Sequence, residues 1–157
     1  MTLSPLHRPL AAVALGLGLA LAGCSATNPI QTDHPYAPSD GVRVVLGDVR
    51  AENLLAVTTA AGAAGALSGA LVNGGSAETT VTVTVGSSST DVTVPAASSV
   101  LLGTGSGTGR KLPLPTVTAA PGALLDVTLA TPAGGTVHVQ VPVVDGSRPP
   151  YDAVLGG

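Results

Sequence analysis

The heptapeptide Thr79-Thr80-Val81-Thr82-Val83-Thr84-Val85 constrains this chain more than any other stretch. Its strict alternation puts Val81, Val83 and Val85 on one face and Thr80, Thr82 and Thr84 on the other. A period of two is the signature of an extended strand with one buried side. The pattern recurs in "DVTV" (Asp91 to Val94), which follows a Gly-Ser-Ser-Ser-Thr connection and is expected to form a hairpin with the first run. In "LLDVTLAT" it points Leu125, Val127 and Leu129 inward, with Asp126 and Thr128 outward. In "TVHVQVPV" it points Val137, Val139 and Val141 inward, with His138 and Gln140 outward. Between these two, Thr131 to Gly135 ("TPAGG") supplies the turn of a second hairpin.

Less regular strand candidates are Val42 to Leu46, Asn53 to Thr58, Ala66 to Asn73 and Ser99 to Leu102. Ala60 to Gly65 ("AAGAAG") is rich in alanine, but its glycines and lack of caps argue for a loop. Short strands at near-regular spacing, without a convincing amphipathic helix, predict an all-β fold. The expected form is an antiparallel β-sandwich of about seven to eight strands, immunoglobulin-like or cupredoxin-like in architecture. There is no Trp, no Phe and only two Tyr, so the core has to be built from Val, Leu and Ala. The sandwich is expected over 42–143, with a flexible tail over 144–157.

Ahead of the domain the pattern changes. Leu10 to Leu21 is an unbroken apolar run behind Arg8, too short for a membrane span but suited to the apolar part of an export signal. It ends in Leu21-Ala22-Gly23-Cys24, which contains the only cysteine of the chain and resembles a bacterial lipobox. That resemblance implies a signal peptide over 1–23, cleavage between Gly23 and Cys24, and a diacylglyceryl group on the Cys24 thiol. It places the protein on the extracytoplasmic face of the cell membrane, lipid-anchored. Residues 24–41, with Pro29, Pro35 and Pro38, read as an extended tether.

The remaining residues offer little chemistry. Nine acidic residues against six basic ones leave a net charge of −3 and no basic patch for nucleic acid. Gly103 to Lys111 ("GTGSGTGRK") is superficially a phosphate loop. However, Arg110 stands where Gly should precede Lys111, and Leu112-Pro113 follow where Ser or Thr and a helix are needed, so no nucleotide is expected. No nucleophile elbow and no paired carboxylates are evident, and no enzyme and no cofactor are expected. Beyond Cys24 only His34 and His138 remain as imidazoles and no methionine does; His138 and His34 are the candidate metal ligands.

The lipobox, "QTDHPYAPSDGVRV" and "LSGALVNGGSAETTVTVTV" together resemble small actinobacterial surface lipoproteins, similar in turn to a β-sandwich family related to periplasmic copper chaperones. In those chaperones His and Met residues, including a terminal His-x-Met pair, hold the metal. Here His138-Val139-Gln140 has Gln in the Met position. The expected function is therefore that of a non-catalytic lipoprotein acting as an adaptor or binding module for an envelope protein partner. Copper handling on a degenerate site is the alternative.

Overall fold

The computed structural model describes residues 40–103 and 109–156. The expected leader, Cys24, His34, Tyr36 and most of the tether lie outside the described residues. Nine strands form: β1 (Val42–Leu46), β2 (Val49–Thr58), β3 (Gly65–Asn73), β4 (Thr79–Val85), β5 (Ser88–Val94), β6 (Ser98–Leu102), β7 (Pro113–Leu114), β8 (Leu124–Thr131) and β9 (Gly135–Asp145). The alternating runs behave as their period requires. Val81, Val83 and Val85 are buried while the intervening threonines are half-exposed, and β8 and β9 turn the expected residues inward.

Strand order is β5-β4-β8-β9-β2-β3-β6, with β1 on β2 and β7 on β3. The sheet is all-β as expected, but it is mixed and barrel-like. Ala56, Val57 and Thr58 of β2 pair in parallel with Val143, Val144 and Asp145 of β9. A twisted sheet without a helix to cover its inner face buries that face by curling onto itself.

β9 is the corner strand, since its first part pairs with β8 and its last three residues with β2. Its partner changes at Pro142, which has no N–H to give to a ladder. On β2 the same edge is held first by β1 and then by β9. The handover coincides with a bulge at Asn53, whose φ of 52° is left-handed. Asn53 Oδ1 accepts the Gly41 N–H at 2.8 Å. Gly69 (φ 143°) faces the bulge, and a Cβ there would lie 2.9 Å from the Asn53 carbonyl oxygen.

Leu46, Leu54, Leu67, Leu71, Leu102, Leu112 and Leu129 interlock with Val81, Val92, Val94, Val127 and Val141 in one cluster. No aromatic ring is among the buried residues described. The cluster lies within Ala37–Gly157, which is a compact unit by itself.

Three expectations need correction. Ser88, Ser89 and Thr90, read as connection, belong to β5, because a two-residue turn at Gly86-Ser87 suffices. The segment Leu112-Pro113-Leu114 was not recognised as strand, yet Leu112, Leu114 and Val117 are buried, and Pro113 sits at an edge where its missing N–H costs nothing. Finally, the expected tail is structured. Val144 and Asp145 extend β9, and a short helix α1 (Asp152–Gly156) follows a cis Pro149–Pro150 bond.

Tyr151, just before α1, donates its hydroxyl to Asp40 Oδ2. This ties the start of the described chain to its end. That hydrogen bond, with some desolvation, raises the ionisation of the phenol above its usual range. At the β9 exit, Ser147 N–H donates to Asp145 Oδ1 at 2.9 Å and holds that carboxyl below its ordinary value.

Candidate functional site

His138 lies on the outer, solvent-facing side of β9. The register sets it opposite Thr128 of β8, and Gln140 opposite Asp126. Both pairs are joined: Thr128 Oγ1 and His138 Nδ1 are 2.9 Å apart, and Gln140 Nε2 donates to Asp126 Oδ1 at 3.1 Å. The row continues through Thr84, the register partner of Thr128, to Ser89, 3.1 Å from it. Beside it Thr82 donates to Asp91 Oδ1 at 2.7 Å. These cross-strand bonds make a flat polar surface, open to water, in which each named side chain is engaged by its neighbour. Among the described residues no group of three or more His, Cys, Asp or Glu is placed to hold a metal. His34, the other candidate, lies outside the described residues.

Lys111 does not open a helix. Arg110 N–H bonds the Leu101 carbonyl at 2.7 Å, and the chain passes directly into β7. The helix N-terminus that a phosphate loop requires is replaced here by a strand.

A cleft of about 450 Å³ opens at one end of the barrel. The β1–β2 turn brings Asp48 to it, the β3–β4 loop brings Ser76 and Glu78, and the β8–β9 turn brings Thr131 and Pro132. Asp48 and Glu78 are exposed at the rim, and no Lys or Arg lines the opening. Two buried polar side chains shape the cleft. Asn73 Nδ2 donates to the carbonyls of Ala77 (2.8 Å), Val94 (3.2 Å) and Pro95 (3.2 Å), while its Oδ1 accepts the Gly75 N–H at 2.9 Å. Thr131 Oγ1 accepts the Gly134 N–H at 2.9 Å. The cleft is not foreshadowed in the sequence, since Asp48 and Glu78 are isolated carboxylates on separate loops. Asn73-Gly74-Gly75, which ends β3 at the cleft, is the local turn beside it.

Gly41 precedes β1, and Leu46 at the far end of β1 lines the cleft.

No protein-family model and no curated protein matches the sequence. Solved structures do. The apo PCuAC domain from PmoF1 superposes with a TM-score of 0.53 at 16% identity, over 66% of this chain and 99% of that domain. The copper-bound PCuAC domain from PmoF2 gives 0.51 at 15% identity, over 66% and 98%. The apo PmoF2 PCuAC domain gives 0.52 at 14% identity, over 68% and 98%. At these identities the likeness speaks to architecture: the described domain has a PCuAC-like fold.

Proposed function

We propose that this protein is an exported, lipid-anchored, non-catalytic binding module that holds an envelope partner protein through the cleft at its barrel end. The observation that carries this reading is the cleft itself. It holds about 450 Å³, it bears two carboxylates and no Lys or Arg, and Leu46 at the end of β1 lines it. A wide, open and mixed polar surface suits a protein contact better than an enclosed small-molecule site. Its charge favours a partner segment carrying Lys or Arg.

Copper handling is the second reading, favoured by the PCuAC-like fold. The donor set among the described residues does not fit it. Soft Cu(I) prefers thiolate, thioether or several imidazoles. His138 has a single imidazole whose Nδ1 is engaged with Thr128, beside the hard oxygens of Asp126 and Gln140. The fold is shared, but sites and not folds decide function.

A photo-crosslinking residue at Ser76, in whole cells, is expected to capture one protein at a stable ratio. Asp48→Asn combined with Glu78→Gln should cut that capture about ten-fold, as loss of two rim charges does to steered association. Capture of many proteins at low yield, or capture indifferent to the double substitution, would count against the cleft as the contact.

A further inference from the structure

The charges on the strands of this domain are sorted by sheet. Strands β1, β2, β3 and β6, with the Arg110–Lys111 segment bonded to the edge of β6, carry four cations (Arg43, Arg50, Arg110, Lys111) and one carboxylate, Glu52, while Asp40 and Asp48 lie at the two ends of β1. Strands β4, β5, β8 and β9 carry three carboxylates (Asp91, Asp126, Asp145) and no Lys or Arg. On the basic side, Arg43 and Arg50 point outward with side chains 53% and 45% exposed. They share Glu52, at 3.1 Å and 3.4 Å, so the cluster stays net positive. Val45 and Leu101 are on the same outer face, 56% and 45% exposed.

The C-terminal segment with α1 packs on β2 and β3 and buries Leu55 and Val57 on this side of the sheet; we infer that the part of the outer face it leaves open, around Arg43, Val45, Arg50 and Leu101, rests on an anionic lipid surface. Charge complementarity supplies the attraction, and Val45 and Leu101 sit where a shallow interfacial contact needs apolar atoms beside cations. The position of the remaining chain selects a membrane as the occupant. The N-terminal segment joins this same sheet at Gly41, and only fifteen residues, Ser25 to Ser39, separate Asp40 from Cys24. Fully extended, they span about 50 Å. A tether of this length keeps the domain at an effective concentration in the millimolar range, so a face of weak intrinsic affinity is held down. This step rests on the lipid-anchored reading of Cys24.

The test uses the unlipidated chain from Ser25, which contains the whole compact unit, and so does not depend on the fate of Cys24. Co-sedimentation is measured with phosphatidylcholine vesicles, with and without phosphatidylglycerol. Binding is expected only with phosphatidylglycerol and is expected to weaken with salt. Arg43→Gln with Arg50→Gln should lower the partition coefficient about 25-fold, at roughly five-fold per cation. Asp91→Asn with Asp126→Asn, on the opposite sheet, should cause no loss, and circular dichroism checks that both variants are folded. Equal binding to both vesicles, or a folded arginine variant that binds as well as the parent, overturns the proposal. So does retention on an immobilised acidic protein with none on anionic vesicles. Failure of the lipid-anchored reading would instead appear as absence of lipid on Cys24, with vesicle binding intact.

Discussion

Asn73→Ala is expected to destabilise the domain by about 3 kcal/mol, the largest effect of any single polar substitution in the described residues. The side chain is only 2% exposed. Its amide protons are shared among the carbonyls of Ala77, Val94 and Pro95, and its Oδ1 closes the turn at Gly75. A typical hydrogen bond contributes only about 1 kcal/mol net, but a buried group left unpaired costs about 1–3 kcal/mol. Alanine removes one side of all four bonds and leaves the carbonyls facing a small void. The geometry raises the stakes further, because β5 and β6 are the two ends of the strand order and Asn73 joins β3 to the exit of β5. Thermal unfolding should therefore start about 12 °C lower. Asn73→Asp should be no better, since a carboxylate has no proton to donate to three carbonyls. A midpoint within about 2 °C of the parent would mean that the barrel closes without this side chain.

Cys24→Ser is expected to abolish membrane anchoring outright. If Leu21-Ala22-Gly23-Cys24 works as the lipobox it resembles, the thiol is the acyl acceptor, and a serine hydroxyl cannot form the thioether. One acyl chain holds a protein only marginally and two or more hold it stably. The change is therefore near all-or-none rather than graded. Mass spectrometry of the mature N-terminus should show lipid on Cys24 in the parent. In the variant it should show either an uncut precursor or an unlipidated protein outside the membrane fraction. A variant that is cut, lipid-modified and membrane-bound as before would remove the anchor from the account.

How much of this was legible beforehand depends on the kind of signal each element carries. β4, β8 and β9 are written in the sequence because a half-buried strand forces a two-residue period. The burial of Val81, Val83, Leu125, Val127 and Val141 follows from it. β2 shows no such period, since Leu54, Leu55, Ala56 and Val57 are buried in succession. Leu54 and Ala56 join the core cluster, whereas Leu55 and Val57 face the other way, where the C-terminal segment with α1 packs on β2, and a continuous apolar run does not announce that second partner. β7 was masked by the prolines that flank Leu112 and Leu114. Of the candidate residues, His138 and Gln140 sit on the outer face where alternation puts them, and their partners Thr128 and Asp126 follow from the hairpin register. The cleft was invisible because it is a product of closure: three loops far apart in the chain meet only when the barrel end forms. The sorting of charge between the two sheets is hidden for the same reason. Arg43, Arg50, Arg110 and Lys111 are scattered along the chain and share a side only after folding.

We propose that a PCuAC-like barrel serves here as an anchored binding module rather than as a copper carrier. The most direct test is a titration of the chain from Ser25 with Cu(I), in competition with a chelator of known affinity, repeated with Cu(II) and Zn(II). The account predicts no one-to-one binding that survives the chelator, and the same trace for His138→Ala. Tight stoichiometric binding that His138→Ala removes would contradict it and make the β8–β9 face, with Asp126 and Gln140 beside the imidazole, a metal site.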